Sequence, residues 1–269
     1  MGLMMRHMRC RIVSRGNLCL LLWQVVFLWP LGGCQEPVPA PQVVRELAGP
    51  PVQVPGQWRI AGWSVQDRPI MLKEFGKGPL VVFLLAGIHG DETAGIALLD
   101  ELARYLDRHP EIVEGRRVLV MPRANPDGLA EMTRQNVRGV DLNRNFPAEN
   151  RTDSPQSGEH PLSEPETWAI WQVIRQYRPT RVISIHQPLG CVDYDGPGEG
   201  LAAAISGECG LPVRRLGARP GSLGAYGEQV RRIPIVTLEL SQSDVDADGP
   251  QLWATYGRAL IAAIRWEGS

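Results

Sequence analysis

The sequence predicts an α/β fold, a single domain on a mixed, mostly parallel sheet with helices on both faces. Three observations lead there. Leu80 to Leu85 is an unbroken apolar run, the mark of a strand covered on both faces. Further β-like runs follow at Gly115–Met121, Arg181–Ile185 and Ile233–Leu240, with helical segments between them. Reactive side chains sit at the carboxyl ends of such runs, where open α/β sheets place their ligands: His89 and Glu92, then His186, then Glu239.

The elements can be justified in order. Trp58–Val65 and Pro69–Glu74 read as an edge hairpin turning at Gln66-Asp67-Arg68. The buried strand Leu80–Leu85 ends in the small-residue turn Ala86-Gly87. Thr93–Leu106 carries apolar residues at 96, 98, 99, 102, 103 and 106, which is helical spacing. The strand Gly115–Met121 empties into Pro122–Gly128, where Asn-Pro and Asp-Gly pairs mark turns. Residues 129–162 are polar and without period, and a loop that long in a compact domain is usually functional. Ser163 and Glu166 match a capping box for a helix to about Tyr177. Helices are expected again at 198–209 and 250–266.

The amino-terminal segment stands apart from this domain. Residues 1–17 hold Arg6, Arg9, Arg11 and Arg15, and the apolar run Leu18–Leu31 is short for a membrane span and suits a signal-peptide core. Leu31-Gly-Gly-Cys34 resembles the lipobox of bacterial lipoproteins, which implies cleavage before Cys34 and its acylation. The expected organisation is a signal peptide over 1–33, a Pro-rich tether over 34–57 and a catalytic domain over 58–269. Gln35 after the cysteine favours the outer membrane of a Gram-negative bacterium, with the domain in the periplasm. Residues 1–33 contain four arginines and no acidic residue, so their loss takes the formal charge from −1 to −5. That balance leaves no basic surplus for nucleic acid. The membrane is then met through the lipid alone, and nothing specifies a protein partner. Cys191 and Cys209 remain as an even pair in an oxidising compartment, either as a disulfide or as two buried thiols.

The chemistry lies in the spacing. His89 and Glu92, three residues apart after a buried strand, have metal-ligand spacing. A catalytic zinc takes three protein ligands plus water, so a second histidine and a free carboxylate are wanted. His186 and Glu239 supply them, each near an apolar run where an unpaired charge would cost several kcal/mol. Arg134, Asn143 and Arg144 add groups suited to holding an anion, since arginine offers a rigid fork for carboxylate.

Taken together, His89-x-x-Glu92, Asn125-Pro-Asp-Gly128, Arg134, Asp141-Leu-Asn143-Arg144-Asn-Phe-Pro147, His186 and Glu239 resemble the zinc carboxypeptidase family of metallopeptidases. Ser163-Glu-Pro-Glu-Thr167, His186-x-Pro-Leu-x-Cys191 and Pro220-Gly-Ser-Leu-Gly224 are similar to its subgroup that cuts the γ-D-glutamyl–meso-diaminopimelate bond of murein peptides. The resemblance implies one Zn²⁺ on His89, Glu92 and His186, with Glu239 as general base. It implies Arg134 polarising the scissile carbonyl, and Asn143 and Arg144 holding the substrate carboxylate. By likeness to the mobile tyrosine of digestive carboxypeptidases, Tyr226 in its glycine-flanked segment is a candidate substrate contact. Asp127 and Asp141 are expected to orient loops or ligands. Two other readings compete: a deacylase of small N-acyl amino acids, similar to succinylglutamate desuccinylase and aspartoacylase, and a non-catalytic peptidoglycan-binding lipoprotein.

Overall fold

The computed structural model describes residues 56–268. The expected signal peptide, the lipidation site Cys34 and all but the end of the tether lie outside that range. Among the described residues no helix is long and apolar enough to cross a membrane.

Eight strands form one mixed sheet. The edge hairpin is β1 (Trp58–Trp63) and β2 (Pro69–Gly76), antiparallel to each other and to β4 (Arg116–Met121). Next come β4, β3 (Leu80–Ala86), β5 (Arg181–His186) and β8 (Ile235–Ser241), all parallel. Then β6 (Leu189–Asp195) runs antiparallel to β8, with the two-residue β7 (Val213–Arg214) beside it. β3 is apolar on both sides because helices cover both faces of the sheet, whereas β8 turns Thr237, Glu239 and Ser241 to one side. α1 (Ala94–Arg108), α4 (Glu199–Cys209) and α6 (Gly249–Arg265) pack on one face around Val82, Leu84, Val236 and Leu238. α3 (Pro165–Tyr177) packs on the other face with Phe83, Leu85 and Phe146.

The predicted fold class holds, and the differences have local causes. α3 starts at Pro165 with Glu164 at its cap position and no side-chain cap bond. The Ser163 hydroxyl instead donates to Glu164 Oε1 at 2.8 Å, so the expected capping box is absent. The turn after β4 contains a short helix, α2 (Pro126–Glu131), capped when Asn125 Oδ1 accepts from Gly128 N. The polar stretch 129–162 is ordered by two buried asparagines rather than by periodicity. Asn136 Oδ1 accepts from the backbone of Arg138 and Val140, and Asn145 Nδ2 donates to Ser157 O and His160 O. The segment 223–231 winds as α5 (Leu223–Ala225) and a π-helical turn, Tyr226–Arg231.

Of the two alternatives for Cys191 and Cys209, a disulfide or two buried thiols, the structure has no disulfide, with Cys191 buried and Cys209 partly so. Cys191 and Cys209 are both free thiols. Cys191 pairs across the ladder with Glu239, so its side chain lies on the Glu239 face. Cys209 ends α4 and packs against the cluster on the opposite face. The sheet stands between them.

Candidate active site

Three strand ends assemble the site. β3 stops at Ala86, and Gly87 takes φ +64°, a conformation only glycine adopts freely, to turn the chain toward His89. The loop is then held from below: Asn125 N donates to Gly87 O at 2.8 Å, and Asn125 Nδ2 donates to Ile88 O at 3.3 Å. Gly90 meets Gly128 so closely that a Cβ on Gly90 would lie 2.0 Å from the Gly128 carbonyl carbon. The Asn-Pro-Asp-Gly motif is therefore the seat of the ligand loop. Asp127 is fully buried and accepts from Ser64 Oγ at 2.7 Å and Gln66 N at 2.9 Å, which fastens the β1–β2 turn.

His186 ends β5 and is paired in register with Glu239 on β8. His89, Glu92 and His186, all buried, each offer one ligand atom within 4.8 Å of the others. The two histidine Nδ1 atoms are 3.2 Å apart, and each lies 2.7 Å from a Glu92 oxygen. Tetrahedral ligands about 2.0–2.1 Å from a zinc ion would stand about 3.3 Å apart, so the donor set fits such an ion. The remaining ring nitrogens are engaged. Asp141 Oδ1 lies 3.2 Å from His89 Nε2, and Ser184 Oγ lies 2.9 Å from His186 Nε2. Each contact fixes ring orientation and directs Nδ1 inward.

The electrostatics follow from these contacts. Burial opposes the Glu92 charge, but His186 and His89 outweigh it and hold the carboxyl at about 2. Burial also opposes protonation of His89, and the carboxylates of Asp141 and Glu92 raise it nevertheless. Asp141, despite burial, is held below the usual carboxylate range chiefly by His89. Glu239 goes the other way: burial pushes its carboxyl up, with Glu92 adding to the shift against His186. Its Oε2 is buried and has no hydrogen-bond partner among the described residues. An orphaned buried oxygen beside a set of metal ligands is a place for water or substrate.

Arg134 links the ligands to the rim, its Nε donating to Asp141 at 3.2 Å and its Nη1 to Glu92 at 3.3 Å. Arg144 is half-buried and donates to Asn143 O at 2.6 Å, and burial plus the nearby Arg134 and Arg219 lower its pKa. Asn143 Oδ1 accepts from Leu223 N at 2.9 Å, leaving its amide NH₂ as a donor. All of these residues line one cavity of about 310 Å³ with His89, Glu92, His186 and Glu239.

Tyr226 is a correction. It is 3% exposed, belongs to the core cluster of the α3 face and stacks on Phe146 at 6.2 Å between ring centroids. It does not line the cavity. The π-helical turn that begins at Tyr226 is backed onto the core, so the neighbouring glycines serve packing rather than a mobile lid. Conversely, the cavity wall contains residues not singled out from the sequence, chiefly Ser184, Asp193, Asp195 and Arg219. The signal available for two of them was the alternation Cys191, Asp193, Asp195 on one side of a strand.

Fold and site together define an α/β protein with a donor set able to hold one metal ion beside a carboxylate and a group of arginines. A family model described as zinc carboxypeptidase matches residues 56–190, and the chain belongs to that family. Murein peptide amidase A of Escherichia coli K12 is 37% identical over 164 residues, 53% of this chain and 64% of the relative. The aligned stretch thus spans just under two thirds of that protein. The Vibrio campbellii murein peptide amidase A is 34% identical over 181 residues, 61% of this chain and 70% of the relative. The crystal structure of the murein-tripeptide amidase of Escherichia coli O157 superposes with a TM-score of 0.65 at 27% identity, covering 81% of this chain and 95% of that one. A carboxypeptidase A from Helicoverpa armigera, at 18% identity and TM-score 0.66, shares the fold.

Proposed function

We propose that this chain is a zinc-dependent amidase that hydrolyses murein peptides at the γ-D-glutamyl–meso-diaminopimelate bond. The observation that carries the reading is the unpartnered Glu239 oxygen, buried at the same cavity wall as three convergent metal ligands. A zinc ion held by His89, Glu92 and His186 would supply Lewis acidity toward water and the scissile carbonyl. Glu239, whose carboxyl is raised by burial, takes the proton of the attacking water as the new C–O bond forms. It returns that proton to the amine as the C–N bond breaks. Arg134, anchored on Asp141 and Glu92, presents positive charge where the carbonyl oxygen becomes negative. Asn143 and Arg144 hold a free carboxylate of the substrate, and the mutual repulsion of Arg144, Arg134 and Arg219 is relieved when that anion enters. The named relatives support murein peptide as the substrate class. We also propose that Cys34 carries the lipid anchor that keeps the domain at the periplasmic face of the outer membrane, within reach of the cell wall.

The test uses the full-length chain in detergent with L-Ala-γ-D-Glu-meso-diaminopimelate, with added zinc and with chelator. Zinc-dependent release of diaminopimelate, read by mass spectrometry, is expected. Release of acid from N-succinylglutamate or N-acetylaspartate instead would replace this reading with the deacylase one. Zinc binding without any turnover would leave a binding protein.

A further inference from the structure

Arg134 is weakly secured by its own contacts. Its side chain is 41% exposed, and its ion pairs with Asp141 and Glu92 run at 3.2 and 3.3 Å. Half-exposed pairs of that kind hold a long side chain loosely. A guanidinium that must meet a carbonyl oxygen in one position therefore needs its backbone fixed from elsewhere. The loop from Arg134 to Asp141 shows how. Asn136 is 3% exposed, and its Oδ1 accepts from Arg138 N at 3.0 Å and Val140 N at 3.1 Å. Its backbone N donates to Val140 O at 3.0 Å, and its backbone O accepts from Gly139 N at 2.9 Å. One side chain thus closes the turn that brings Asp141 back toward Arg134. The other half of the amide reaches α3. Asn136 Nδ2 donates to Glu164 Oε2 at 2.7 Å and to Glu166 Oε2 at 3.2 Å, two buried carboxyls at the start of that helix. Glu166 Oε1 also accepts from Val65 N at 3.1 Å, on the β1–β2 turn.

We propose that Asn136, clamped by Glu164 and Glu166, is a positioning residue that sets Arg134 for the reaction. The path is continuous. The two carboxyls fix the amide, the amide fixes Val140 N, and Asp141 follows Val140 in the chain. Asp141 Oδ2 then receives Arg134 Nε, while its Oδ1 stands by His89 Nε2. On the other flank, Thr133 N donates to Gly128 O at 2.9 Å and Gln135 O accepts from Asn125 Nδ2 at 3.2 Å. Arg134 is thereby held between an α2 anchor and an α3 anchor, and only the α3 anchor depends on Asn136. The role deepens the amidase reading and rests on it for the part Arg134 plays at the carbonyl.

The experiment uses the full-length enzyme with zinc in detergent, its arginines labelled with ¹⁵N. The Arg134 Nε–H signal is identified by its loss in Arg134→Ala. In the wild type it should stand apart from the exposed arginines and exchange slowly; in Asn136→Ala and Asn136→Asp it should join them. Asn136→Asp is isosteric and keeps an acceptor for Val140 N, but turns an oxygen toward two carboxyls. On L-Ala-γ-D-Glu-meso-diaminopimelate both variants should lose about 10²-fold in kcat, with KM changed by less than about threefold. In the Arg134→Ala background, Asn136→Asp should cost less than about threefold more, as expected of residues acting as a unit. Adding Glu164→Gln to Asn136→Asp returns a donor to position 136 and should recover about tenfold. Thermal unfolding checks that each variant folds. An unmoved Arg134 signal in either folded variant overturns the proposal, and so do losses that multiply in the Arg134→Ala background. If the wild type cuts no peptide while the signal moves as expected, the amidase reading fails and the placement of Arg134 by Asn136 stands.

Discussion

At one end of the cavity both nitrogens of His89 and of His186 have partners, whereas at the far end Asp195 has none among the described residues. The first region is over-determined: each candidate ligand is braced by a second polar group, and the loop carrying two of them is seated on Asn125 and Gly128. The second is under-satisfied and raised in energy by burial and like charge. Geometry that must be ready before a ligand arrives is braced by the protein itself, whereas an isolated buried carboxyl is held in place at a cost in stability.

Breaking the metal end should give the largest effect. Glu239→Gln should lower kcat by about 10³-fold while zinc stays bound, as removal of a general base does. Single-turnover assays with metal analysis check it, and a mutant with near-normal rate would falsify the base assignment. Next comes the brace on His186. Ser184→Ala should weaken zinc binding by about 10–100-fold, read by competition with a chromophoric chelator, and Ser184→Thr should restore part of it. An unchanged affinity would mean the hydroxyl merely fills space.

The far end should respond in stability and with a definite pH sign. The Asp195 carboxyl is raised from 3.8 to about 7, so the folded state holds an extra proton and wild-type stability declines as pH rises through that window. Asp195→Asn removes the slope. Its advantage over wild type should grow between about pH 4 and about pH 7 and level off above, reaching about 1–3 kcal/mol after allowance for water in the cavity. Denaturant melts at several pH values measure it, and parallel curves for the two proteins would show the carboxyl to be ordinary. The smallest effect is expected from Tyr226→Phe. Because the ring packs on Phe146 inside the core, kcat/KM should change by less than about threefold.

The contrast also marks what the sequence made legible. β3 is apolar on both faces, β5 is buried throughout and β8 is apolar on one face, and the candidate metal ligands and base lie at or just past their carboxyl ends, so motif and strand reinforce each other. β6 was not predicted because Pro188, Gly190 and two aspartates interrupt the apolar signal. Its inward acids, read singly, resemble loop residues, and they acquire meaning only from the register with β8. Tyr226 failed as a substrate contact for the same reason: glycine spacing suggests freedom, while only the three-dimensional packing shows which way the ring turns. The cysteines could be counted in the sequence but not assigned to opposite sides of a sheet. Asn136 and Asn145 order the long loop through backbone contacts that leave no period to detect.

The crossing from β5 to β6 spends only Gln187 and Pro188, and it is held at once: Gln187 Oε1 accepts from Ala94 N at 3.0 Å at the start of α1. With so little slack, the parity of the residue count after His186 decides which side chains of β6 look into the cavity. Adding or deleting a single residue there would exchange Asp193 and Asp195 for Val192 and Tyr194, inverting the strand while leaving His89, Glu92 and His186 in place. Homologues that vary in length at this crossing should therefore change by even steps, or change their substrate.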